Sequence, residues 1–242
     1  MASKETSIGV TKGKTLSLIA IFAALGVVCD AILMPGFSAG VWFGGIFMFS
    51  SIAGIVLGPY NGFISTFIAV MIGHSLVPRD TIYELIFTLG APTGSMISGF
   101  MFSGDWKKVL AFYTIILVSY FATPISWHLP AWGMWDIYVA YLFLLALSVV
   151  MRVWGLDKIR YTSLFAVSTF IGLEGDVLLR IFILVPCKGY QFFYGLTPEA
   201  LVAIWAVPAP IITPIKVLLA TLTTTMITPR IIRVFKNTKT WQ

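Results

Sequence analysis

Charge is scarce in this 242-residue chain: 11% of residues are Asp, Glu, Lys or Arg, while 58% are hydrophobic. A soluble domain commonly carries about 25% charged residues, and it needs them to cover its surface. Cysteine is also scarce. Cys29 and Cys187 have no metal-ligand spacing and are too few for a disulfide framework; two free thiols are expected, the alternative being one disulfide between them. Catalytic signatures are missing as well. There is no H-E-x-x-H, no G-x-S-x-G, no phosphate-binding loop and no aspartate cluster. The Ser of Thr93-Gly94-Ser95 has no base near it in sequence. The expectation is therefore no enzyme, no metal site and no cofactor. Basic residues are scattered rather than gathered, which argues against nucleic acid.

What fills the chain is apolar runs of bilayer-crossing length, and mean hydropathy is +0.93. These runs are continuous rather than alternating, so helices are expected and a β-barrel is not. Eight segments stand out: 15–34, 41–58, 61–77, 82–103, 109–126, 137–154, 161–185 and 208–228. Pro and Gly punctuate them, as at Pro35-Gly36, Gly58-Pro59-Tyr60-Asn61-Gly62 and Pro78-Arg79-Asp80. Residues 186–207 form the longest connection, with a short interfacial helix expected near 199–206. Residues 1–14 are polar, and no small-residue cleavage site follows at a suitable distance. The first run is thus an uncleaved span.

Basic residues set the orientation. With the N-terminus in the cytoplasm, twelve of them lie inside: Lys4, Lys12, Lys14, Lys107, Lys108, Arg152, Lys158, Arg160, Arg230, Arg233, Lys236 and Lys239. Only Arg79 and Lys188 lie outside, and Arg180 and Lys216 fall within spans. The expected architecture is an all-α polytopic transmembrane bundle of six to eight spans in the cell membrane, with both termini cytoplasmic. Residues 1–14 form an N-terminal segment, 15–228 the membrane domain and 229–242 a basic tail.

Ionisable groups inside a membrane are costly and usually serve a purpose. Asp30, His74, Glu84, Asp136 and Arg180 fall in the outer parts of their spans, while Glu174, Asp176 and Lys216 lie nearer the middle. A polar outer half above an apolar inner half describes a cavity that opens outward. Asp176 and Arg180, four apart, share a helix face and can pair. Lys216 can reach Asp176 from the last span. Glu174 points about 200° away from Asp176, since each helical residue turns the chain by about 100°. It therefore needs another partner or a proton, and it is the best candidate for direct ligand contact. The plainer alternative is that these charges only hold helices together. The outer loops are aromatic, and Trp132 is a candidate lid residue for a planar ligand, the alternative being an interfacial belt. Ala20-x-x-x-Ala24, Gly54-x-x-x-Gly58 and Gly90-x-x-x-Gly94 place small residues on one face, where helices can approach closely.

Three stretches carry a family resemblance. Leu18-Ile-Ala20-Ile-Phe-Ala-Ala24, Leu57-Gly58-Pro59-Tyr60-Asn61-Gly62-Phe63 and Met96-Ile-Ser-Gly99-Phe-Met-Phe-Ser-Gly104-Asp-Trp-Lys-Lys are similar to motifs of the substrate-binding S components of energy-coupling factor transporters. The resemblance covers 15–108. It implies a subunit that captures a vitamin or other micronutrient from outside. Such a subunit works with a transmembrane coupling protein and cytoplasmic ATPases, with the Ala20 and Ala24 face docking on the coupling protein. Members of that family usually have six helices, whereas eight segments are counted here. The alternatives are a stand-alone ion-coupled secondary transporter and a structural or accessory subunit of a larger membrane complex.

Overall fold

A computed structural model describes residues 12–32, 45–77, 84–154 and 161–237. Every regular element among them is helical. The principal helices are α1 (Lys12–Val27, continued by a wider turn over Val28–Ile32), α2 (Ile46–Leu57), α3 (Pro59–Leu76), α4 (Glu84–Phe87), α5 (Gly90–Ser103), α6 (Trp106–Phe121), α7 (Trp135–Trp154), α8 (Tyr161–Leu184), α9 (Gly189–Phe192), α10 (Pro198–Ala206) and α11 (Ala209–Asn237). Three stretches are long and apolar enough to cross a membrane: Gly13–Ile32, Ala131–Val153 and Ala209–Val234. Large apolar side chains project outward from them. Leu16, Leu142 and Met226 are each more than 60% exposed, which is the surface expected of a protein solvated by lipid rather than water.

α8 is the centre of the bundle. Residues 171–178 are buried without interruption, so this helix is covered on all sides. α5, α2 and α11 pack on it, as do α6 and α7. The α2–α3–α5–α8 contact depends on small residues. A side chain at Gly54 would collide with the Ser95 backbone, and one at Gly172 with Ser98. Ser98 in turn donates to the Ser51 hydroxyl at 3.0 Å. Glycine and serine here let backbones approach and satisfy one another's polar groups. The α2–α3 hairpin closes in one residue, because Gly58 takes φ 83° and Pro59 starts the next helix.

Two sequence expectations need correction. The segment 82–103 is not one helix but α4 and α5, separated at Thr88-Leu89. Pro92 is the physical cause: it lacks the N–H that would bond the Thr88 carbonyl, and its ring crowds that group. The last helix also outruns 208–228, continuing through Pro229 to Asn237, so the basic tail begins as helix. The short helix expected near 199–206 is α10. Cys29 and Cys187 are free thiols. The breaks at Pro35-Gly36 and Pro78-Arg79-Asp80, and the basic residues Lys4, Lys158, Arg160 and Lys239, lie outside the described residues.

The prolines of the α10–α11 junction explain the place of two tryptophans. Pro210 and Pro214 cannot donate to the carbonyls four residues earlier, which leaves Ala206 O and Pro210 O without helical partners. Trp132 Nε1 donates to Ala206 O at 3.1 Å, and Trp135 Nε1 to Pro210 O at 2.9 Å. The turn before α7 is thereby fastened to the start of α11.

Candidate functional site

The charged residues of α8 diverge as their spacing requires. Asp176 is fully buried, and Arg180 Nε donates to its Oδ1 at 2.5 Å, with Nη2 at 3.4 Å from Oδ2. The start of α5 closes over this pair, where a side chain at Gly90 would strike Asp176 Oδ1 and Arg180. The α4–α5 break thus delivers a helix start to a carboxylate, and glycine there leaves room for it. Lys216, from α11, bears electrostatically on both Arg180 and Asp176, and its Nζ is shielded from solvent. Asp176 and Arg180 therefore form a pair on the side of α8 that faces α5, with Lys216 of α11 in electrostatic reach.

Glu174 lies on another side. It is 0% exposed, and neither Oε1 nor Oε2 has a hydrogen-bond partner among the described residues. The charged groups that bear on it most are Asp136 and Asp176, both carboxylates. Asp136 opens α7 and is also buried. Its Oδ1 accepts the Ile137 N–H at 3.0 Å, and its Oδ2 has no partner. Tyr113 of α6 is in electrostatic reach of both Glu174 and Asp136. Its hydroxyl donates to Ile171 O at 2.5 Å, and its ring stacks near that of Tyr141. Tyr113 was not among the expected site residues, and Asp136 was counted only among the polar groups of the outer half of the spans. Asp136 carried a signal, an acid at the start of an apolar run, but a tyrosine in an apolar helix looks like any other core aromatic.

Asp30 and His74 form a separate pair between α1 and α3. His74 Nδ1 lies 3.1 Å from Asp30 Oδ2 and 2.9 Å from Val70 O. The Val70 carbonyl can only accept, so its contact calls for the Nδ1–H tautomer. A side chain at Gly73 would come within 2.5 Å of Asp30 Oδ2. Glu84 begins α4, and its side chain is outside the described residues. Trp132 is 60% exposed, and its N–H is engaged by Ala206. Ala20 and Ala24 are both exposed, on the outward side of α1. Among the described residues no group of three metal-ligating side chains is found. At the α5–α6 turn, outside the apolar helices, Lys108 donates to Asp105 at 2.8 Å, and that bond holds its ammonium pKa above the usual lysine value.

No family model, curated protein or solved structure matches the chain.

Proposed function

We propose that the chain is a membrane-embedded binding subunit for a small solute. Its place is in an energy-coupling factor uptake transporter, where it captures its ligand from the outer side of the cell membrane. In this reading the bundle crosses the membrane six to eight times with both termini cytoplasmic, as the twelve-to-two distribution of basic residues favours. The observation that carries the binding role is Glu174: a fully buried side chain with two unpartnered oxygens. A bundle held together only by its charges would pair them, since a buried polar group without a partner is costly. Asp176, Arg180 and Lys216 shape the neighbouring wall and give each other electrostatic support. The exposure of Ala20 and Ala24 suits a face kept small for the close approach of a coupling protein. The cytoplasmic ATPases would supply the energy.

Glu174→Gln keeps the size and removes the charge. It should weaken solute binding at least about tenfold, the loss expected for a hydrogen bond to a charged group worth about 1.5–3 kcal/mol. Equilibrium binding of the co-purifying solute by wild-type and variant protein tests this. Equal affinity would remove Glu174 from the site.

A further inference from the structure

α6 and α7 run antiparallel and touch at two levels. Phe121 stacks on Tyr138, with ring centroids 6.2 Å apart and planes 18° from parallel. Further along the pair, Thr114 Oγ1 lies 3.0 Å from the Tyr141 hydroxyl. Between these contacts the helices leave a groove of about 470 Å³, lined by Thr114, Leu117, Val118, Phe121, Tyr138 and Tyr141. Ordinary ligand sites measure about 300–1,000 Å³. Leu117 is buried and forms the floor, while Val118 and Phe121 are exposed at the mouth.

The chemistry of the wall decides what can fill it. Thr114 donates its hydroxyl proton to the Leu110 carbonyl at 2.8 Å. Its oxygen is therefore the acceptor for Tyr141, whose proton is spent as well. The rest of the wall is almost all carbon. A polar solute entering the groove would give up its bonds to water and find few in return, whereas an apolar one has none to lose. Depth narrows the choice. Ala131–Val153 is long and apolar enough to cross a membrane. Tyr138 and Tyr141 lie about 10–15 Å along it at about 1.5 Å per residue, which is the level of hydrocarbon in a core about 30 Å thick. The mouth is also continuous with the outward-projecting surface of α7, where Val139 and Leu142 are exposed. What meets the groove there is the tails of lipids.

We propose that the α6–α7 groove is a lipid site, which holds one acyl chain of a bilayer lipid as a fixed part of the bundle. The chain lies along Leu117, between the Phe121–Tyr138 stack and the Thr114–Tyr141 hydroxyl pair. This site goes beyond the solute-binding role and rests only on α7 and α11 crossing the membrane.

The test uses the full-length protein in phosphatidylcholine vesicles containing a minor fraction of the same lipid with a diazirine at mid-chain. After illumination, labelled positions are mapped by peptide mass spectrometry. Leu218 and Leu222, exposed on α11, serve as the reference for ordinary lipid contact. Labelling at Val118 and Tyr141 should exceed theirs by about tenfold, equal to a preference of about 1.4 kcal/mol for the groove. Val118→Trp fills the groove from its exposed mouth. It should lower groove labelling to the α11 level and leave α11 labelling unchanged. Thr114→Phe, exposed on the same face of α6, fills it from the neighbouring turn and decides the matter if Val118→Trp does not fold. Equal labelling of the groove and α11 in the wild type would mean passing contact with bulk lipid and overturns the proposal. So does groove labelling that persists in a folded filling variant. Label on neither helix would remove the membrane embedding of α7 and α11, and the lipid site with it.

Discussion

Asp176→Asn should destabilise the protein far more than Glu174→Gln, although the two carboxylates are two residues apart and both are fully buried. Asp176 holds Arg180 through Nε at 2.5 Å and also faces Lys216. Removing its charge leaves the Arg180 guanidinium beside a neutral amide. Breaking a buried pair by removing one partner costs about 3–5 kcal/mol. For a chain of this length each kcal/mol moves the unfolding midpoint by about 2–4 °C, so a fall of about 6–20 °C is expected. Glu174 has no hydrogen-bond partner among the described residues to strand. Its replacement should stay within about 1 kcal/mol of wild type. Thermal unfolding of both variants and wild type, in one detergent and followed by tryptophan fluorescence, gives the comparison. A midpoint for Glu174→Gln as low as that of Asp176→Asn would show that Glu174 is a structural ion-pair partner, and the division of α8 into two chemical sides would fail.

Ala20→Leu or Ala24→Leu should leave the isolated protein's midpoint and solute affinity unchanged, because both positions are exposed. Transport should be lost, and simultaneous loss of folding would mean that these alanines pack the bundle. Trp135→Phe removes the donor to the Pro210 carbonyl, which no backbone N–H can replace. It should lower stability by about 1 kcal/mol, read by denaturant or thermal unfolding. Single cysteines near Trp132 and Lys188 should react with an impermeant reagent from outside, whereas those at Lys107 and Lys236 should not. Outside labelling at Lys107 would reverse the orientation.

Much of α8 was legible because its chemistry is local. The four-residue spacing of Asp176 and Arg180 implies their bond, and the two-residue offset of Glu174 implies its separation from them. The helix end marked by Gly58-Pro59 was legible for the same reason. The partner side of Glu174 was not. Asp136 lies 38 positions earlier in the sequence, on α7, and only the packing of α6, α7 and α8 brings it and Tyr113 within electrostatic reach of Glu174. The division of 82–103 was missed because its hydropathy is continuous while the break is made by a single absent N–H at Pro92. The tryptophans read as a lid or a belt from composition. Their N–H bonds follow from prolines about 75 residues away, at spacings of four from the carbonyls that they free.

The central claim is a solute-binding subunit that borrows its energy from partners. Its most direct measurement is mass spectrometry of everything that travels with the full-length protein when it is gently extracted from its native membrane. A small solute should be recovered, together with a transmembrane coupling protein and ATPase subunits. Recovery of the protein with neither solute nor ATPase subunits, under extraction that preserves its fold, would contradict it.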